Sequence, residues 1–127
     1  MPSAERSILE AKIAAKKAAI AALERKAEHI EIYDLRGISS VTDYFVICTG
    51  STDVQCKAIQ NHIAVELKKE AVYAYHVEGV TSGRWILMDY VDFVVHIFQP
   101  AVREFYGLER IWGDVECEEI NEDNYES

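Results

Sequence analysis

From Arg84 to Phe98 the chain reads RWILMDYVDFVVHIF, an apolar run broken by Asp89, Asp92 and His96 and carrying Trp85 and Tyr90. Its middle is too polar for one continuous buried strand. The pattern predicts two short strands, WILM and FVVHIF, turning at Asp89 to Asp92, because each is rich in β-branched and aromatic residues. A sheet this apolar buries itself, so every polar exception needs a partner or a purpose.

Upstream, Ser3 to about Ala27 predicts a helix: the stretch is rich in Ala, Lys and Glu, lacks Gly, and offers a capping box at Ser7 and Glu10. Its apolar stripe, Leu9, Ile13, Ile20 and Leu23, is narrow, which suits docking over the chain's own sheet better than a dedicated dimerisation helix. HIEIYDL alternates as a strand from residue 29 with Ile30 and Ile32 inward, and YFVICT from Tyr44 is the continuous run of a strand covered on both faces. Gly50 ends that strand. Thr52 and Gln55 stand at capping-box spacing before a helix from Asp53 to about Glu70 whose stripe is Cys56, Ile59, Ile63 and Leu67.

YAYHVE, from Tyr73, reads as a further strand, with a turn over Gly79 to Gly83 before the Trp85 pair. Pro100 opens a last helix, roughly Ala101 to Trp112, which Gly107 kinks or breaks. The order implies an α/β fold: one mixed sheet of about five strands flanked by helices. The boundaries are a single domain over residues 1–113, its N-terminal helix included, and an acidic tail over 114–127 that is disordered in isolation.

Charge changes this picture less than its total suggests. The 127 residues carry a formal net charge of -9, but seven of the 22 acidic side chains lie from Asp114 onward, where no basic residue occurs. The body before it is nearly neutral, with 13 basic against 15 acidic groups. Direct, sequence-specific nucleic-acid binding is disfavoured for want of clustered Lys and Arg, and a basic protein partner fits better. No apolar run is long enough for a membrane helix, and MPSAERSILE lacks the apolar core of a signal peptide, so the expected location is the cytoplasm.

Cys48, Cys56 and Cys117 are odd in number and without CxxC spacing, so they read as reduced thiols, and the scattered histidines give no support to a metal centre. No cofactor is implied. The turn TGSTD presents a strand end to a helix N-terminus, yet neither GxxxxGK[ST] nor GxGxxG occurs. A nucleotidyltransferase would place paired carboxylates about a dozen residues later, where this chain has AIQNHIAV. Asp89 and Asp92 fit the capping of a tight turn better than a metal or acid/base pair. His96 fits a hydrogen-bonded core position. Trp85, Leu87 and Asp89 alternate onto one side of their strand, bringing a large aromatic and an acid to the same face, the composition of an interface hot spot.

SSVTDYFVICTGSTDVQCKAI, the isolated Glu78–Gly79, WILMDYVDFVVHIF and REFYGLERIW together resemble the Iojap family of ribosomal silencing factors, RsfS, from about His29 to Trp112. The resemblance implies a nucleotidyltransferase-like fold without catalytic carboxylates, and no enzymatic activity. It implies binding to the large ribosomal subunit through its ribosomal protein fourteen, at the face where the small subunit docks, with translation repressed by steric occlusion. The family's central Trp, Asp and Tyr fall on Trp85, Asp89 and Tyr90, and its His on His96. Its Arg and Tyr of the last helix fall on Arg103 and Tyr106, and its LExxW pattern on Leu108, Glu109 and Trp112. Many members carry Gly where this chain has Val91. Joined to the residue pattern, this predicts an apolar anchor of Trp85 and Tyr90, with Asp89 and Asp92 meeting basic side chains of the partner. A homodimer is the alternative state of the free protein. The competing readings are a small nucleotidyltransferase-like, nucleotide-binding enzyme using the Gly50 turn and Asp89, and a structural dimer built on the N-terminal helix.

Overall fold

The computed structural model describes residues 4–125, with side chains from residue 11 onward. In chain order the elements are α1 (Ala4–Glu24), β1 (Glu28–Asp34), β2 (Tyr44–Thr49), α2 (Asp53–Lys68), β3 (His76–Glu78), β4 (Trp85–Asp89), β5 (Phe93–Phe98), α3 (Pro100–Tyr106), α4 (Leu108–Ile111) and β6 (Cys117–Ile120). The six strands form one mixed sheet in the order β3-β4-β5-β2-β1-β6. Only β2 and β5 run parallel, and the chain reaches that pairing by way of α2 and the β3–β4 hairpin.

The sixth strand corrects the expectation of about five, and it comes from the segment expected to be a disordered tail. Cys117 to Ile120 adds to the edge of β1, with Tyr33 opposite Cys117 and Ile30 opposite Ile120. Ladder hydrogen bonds ignore side-chain identity, so an acidic segment is recruited once it has an edge to pair with. Ile120 then buries in the main core, and Lys16 of α1 meets Glu118 at 3.5 Å.

Strand alternation divides the sheet into two faces. Ile30, Ile32, Tyr44, Val46, Cys48, Ile86, Met88, Phe93, Val95 and Ile97 pack in one core with α1 and α2. On α2 the stripe is as expected: Cys56, Ile59, Ile63 and Leu67 are fully buried. Thr52 caps it, accepting from the Gln55 backbone N–H at 3.1 Å. The Gln55 side chain does not close a reciprocal box. Its Oε1 accepts from Ser51 N–H at 2.7 Å, and its Nε2 donates to the carbonyl of Lys26 at 3.0 Å, fastening the start of α2 to the end of α1.

The buried face of α1 differs from the stripe expected. Ala11, Ala14, Ala15, Ala18, Ala19, Ala21 and Ala22 are buried, whereas Ile13 is 57% exposed and Ile20 and Leu23 are only partly covered. Methyl groups let the helix approach β1 and β2 closely, which larger side chains would prevent. The backbone is helical from Ala4, so Ser7 falls inside the helix. The side chains of Ser7, Leu9 and Glu10 lie outside the described residues.

Between α2 and β4, only His76 to Glu78 of the YAYHVE segment forms a strand. Tyr73 and Tyr75 are exposed. Gly79 has φ 83°, and a Cβ there would stand 2.0 Å from the Trp85 carbonyl oxygen, so the turn leading into β4 requires glycine.

Candidate functional site on the open face of the sheet

The second face of the sheet is covered only in part. Tyr33, Leu35, Ile47 and Phe98 bury there with Phe45, Trp85, Val102, Leu108, Trp112 and Val115 packed around them. The cover comes from α3 and α4, which are broken apart at Gly107 (φ 54°, ψ 45°), a left-handed C-cap whose N–H bonds to the Arg103 carbonyl. The break expected at Gly107 is therefore a change of direction, and it lets α4 fold back over β1 and β2.

Arg103 fixes this cover in place. Its side chain is buried, donating from Nη1 to the His29 carbonyl at 2.7 Å and to Thr49 Oγ1 at 2.9 Å, and from Nε to Glu109 Oε1 at 3.0 Å. It also pairs with Glu31 of β1. With four bonds to three elements of its own chain and 8% exposure, Arg103 pins this cover in place.

Trp85, Leu87 and Asp89 do share the open face, each partly exposed while Ile86 and Met88 between them are buried. Trp85 Nε1–H donates to Nδ1 of His96 at 3.1 Å. Its ring lies 4.9 Å from Phe98 and 4.8 Å from Tyr106, centroid to centroid. His96 is 4% exposed, with Phe45 edge-on at 4.6 Å. Desolvation pushes its pKa down to about 4. The imidazole is thus neutral at pH 7, and since Nδ1 accepts, the proton sits on Nε2. His96 occupies the hydrogen-bonded core position expected of it, and in doing so it orients Trp85.

Tyr90 does not join Trp85. It is 7% exposed, stacks on Phe93 at 4.8 Å and belongs to the core on the helix side. The apolar anchor expected of Trp85 with Tyr90 is replaced by Trp85 with Tyr106, which is half-exposed, and with Phe105, which is 78% exposed and 5.1 Å from Tyr106. The signal for Phe105 lay in the sequence as a second aromatic beside Tyr106. What hid it was that only a short, broken helix turns its outer side chain to solvent.

At the far end of β4, Asp89 Oδ1 accepts from the Val91 N–H at 2.7 Å, the turn-capping role expected of it. Asp92 is exposed. Across the ladder, His76 pairs with Asp89 and Glu78 with Leu87, and the His76 ring nitrogen Nε2 bonds to Glu78 at 2.9 Å. The result is a strip along β4, roughly 14 Å from Trp85 to Asp89 at strand rise, apolar at the Trp85 end and acidic at the other.

Part of the Gly50 turn is occupied by its own chain. Gly50 N–H bonds to Phe98 O at 2.9 Å, Ser51 N–H to Gln55 Oε1, Gln55 N–H to Thr52 Oγ1, and Cys56 N–H to Thr52 O. The buried thiols are inert: burial pushes Cys48 up to about 12 and raises Cys56 as well.

Against known proteins, a family model described as "Ribosomal silencing factor during starvation" matches residues 8–127. That range takes in most of α1 and all of β6, beyond the stretch on which the motif resemblance rested. The ribosomal silencing factor RsfS of Bacillus subtilis is 39% identical over 106 residues, covering 84% of this chain and 90% of its own. A crystal structure of a Chromobacterium violaceum protein superposes with a TM-score of 0.78 at 35% identity, over 80% of this chain and 85% of that one. Another, from Bacillus halodurans, gives 0.71 at 32% identity, over 82% and 94%.

Proposed function

Since the chain belongs to the family of ribosomal silencing factors, we propose that the open strip along β4 docks on the large ribosomal subunit through its ribosomal protein fourteen. Standing where the small subunit would dock, it blocks subunit joining and represses translation in the cytoplasm. The observation that carries this reading is an aromatic end (Trp85 of β4 with Phe105 and Tyr106 of α3) and an acidic end (Asp89 of β4 with Glu78 of β3 and Asp92 of the following turn) set at the two ends of one strand. Aromatic anchors supply affinity, and acidic neighbours select a basic protein surface. Leu87 lies between the two ends and completes the contact.

The mechanism is occlusion and needs no reaction. A nucleotide-binding enzyme is less well supported, because the N–H groups of Gly50 and Ser51 are already bonded within the chain and its carboxylate window reads AIQNHIAV. A second copy covering Phe105 and Tyr106 in the free protein is compatible with the same face, and would have to leave before docking.

Incubation with purified subunits followed by gradient sedimentation tests this reading. The chain should travel with the large subunit alone and reduce the yield of joined ribosomes. Trp85→Ala and Glu78→Lys, both checked for native circular dichroism, should weaken co-sedimentation at least tenfold. Undiminished binding by folded Trp85→Ala would remove the strip from the interface.

A further inference from the structure

On the opposite side of the sheet α1 and α2 lie antiparallel, Lys17 beside Glu70 and Glu24 beside His62. Where α1 ends, three side chains with metal-binding atoms converge: Glu24, His62 and Glu66. His62 and Glu66 are one turn apart on a single face of α2, and Glu24 is the last residue of α1. A carboxylate oxygen from each glutamate and an imidazole nitrogen of His62 all lie within 4.8 Å of one another. Both glutamates line a cleft of about 170 Å³ between the helices, with Ile20, Ala21 and Lys69 also on its walls.

We propose that Glu24, His62 and Glu66 form a zinc site that ties the end of α1 to α2. At zinc–ligand bonds of 2.0–2.2 Å, tetrahedral ligand atoms stand roughly 3.3–3.5 Å apart. His62 Nε2 is now 2.8 Å from Glu24 Oε1, so the pair opens by about half an ångström while Glu66 swings inward. Side-chain rotation alone supplies this. The helices are already fixed by the buried stripe of α2 and by Gln55, which bonds to the carbonyls of Arg25 and Lys26.

The donor set selects the ion. One nitrogen and two carboxylate oxygens, with the cleft leaving room for a water as fourth ligand, suit zinc, whereas calcium and magnesium require six or more oxygens. Two carboxylates offset the charge of a divalent cation. Binding has two costs. His62 Nε2–H now donates to Glu24, so the imidazole must carry its proton on Nδ1 when Nε2 ligates. Lys69, 2.6 Å from Glu66, must also be displaced. The site is therefore one of moderate affinity, filled according to the zinc available.

Calorimetric titration of the full chain with zinc chloride tests this, alongside cobalt(II), whose visible spectrum reports tetrahedral coordination. One equivalent should bind, and Tm should rise with the logarithm of zinc concentration. His62→Ala and Glu66→Gln should each lower the affinity at least tenfold while leaving circular dichroism unchanged. Cys117→Ser and His76→Ala, which remove other exposed zinc-binding groups, should have no effect. The site is refuted by absence of saturable binding, by an octahedral cobalt spectrum, or by binding that survives His62→Ala and is lost in Cys117→Ser or His76→Ala.

Discussion

The indole N–H of Trp85 donates to Nδ1 of His96 at 3.1 Å, tying the exposed edge of the β4 strip to a buried imidazole on the neighbouring strand. Phe45, Phe98 and Trp85 surround that imidazole, and burial lowers its pKa from the ordinary 6.5 to about 4. The unfolded chain then binds a proton that the folded one refuses between these values. Stability is at its full value above pH 6.5 and falls as pH drops toward 4, by up to roughly 3 kcal/mol at 1.36 kcal/mol per unit. Urea unfolding across this range should show the slope, and His96→Leu should flatten it. An unchanged slope in that variant would assign the dependence to other groups.

Arg103 is the second joint of the open face. Truncation to Met would leave the carboxylates of Glu31 and Glu109, Thr49 Oγ1 and the His29 carbonyl without this partner. Removing one member of a buried charged network costs about 3–5 kcal/mol, so Arg103→Met should lower the urea midpoint sharply. Arg103→Lys should recover part of the loss, since an ammonium restores the charge without the planar fork. If Arg103 instead served the interface, Arg103→Met would weaken ribosome binding with stability unchanged.

The sequence makes the strands and α2 legible because their apolar periodicity is strong: Ile30 and Ile32 face inward, and Cys56 to Leu67 forms one buried stripe. It misleads on α1, where alanines rather than the larger residues are buried, because hydrophobicity marks large side chains while close helix–sheet approach needs small ones. It conceals β6, whose pairing is a backbone property. At the site it places Trp85, Leu87 and Asp89 on one face but assigns Tyr90 to their company. Strand alternation itself carries Tyr90, next after Asp89, to the face of Ile86 and Met88, where it is buried; its grouping with Trp85 rests on the motif and not on the strand period.

The alanine packing of α1 yields its own test. Ala18 is fully buried in the core it shares with the sheet. Ala18→Leu lowers helix propensity only slightly but forces extra methylenes into a packed space, at a cost of about 1–3 kcal/mol. Leucine at Ile13, which is exposed, should change stability by less than about 0.5 kcal/mol. Thermal unfolding of the two variants should therefore separate clearly, and equal Tm values would mean that α1 does not seat on the sheet through its alanine face.

Val91, with φ 72°, sits in the left-handed region at the tip of the β4–β5 turn, held by the bond from its N–H to Asp89 Oδ1. A β-branched residue is strained there by roughly 1–2 kcal/mol, which glycine relieves. Glycine returns about 0.4–1 kcal/mol of this through the greater freedom of the unfolded chain. Val91→Gly should therefore stabilise the protein by about 0.5–1 kcal/mol, raising the urea midpoint at constant m-value. Asp89→Ala should lower it by removing the cap that holds the turn, and the gain from Val91→Gly should persist in that background, since φ strain belongs to the backbone and not to the hydrogen bond. A destabilised Val91→Gly variant would show instead that the valine side chain contributes packing that outweighs its strain.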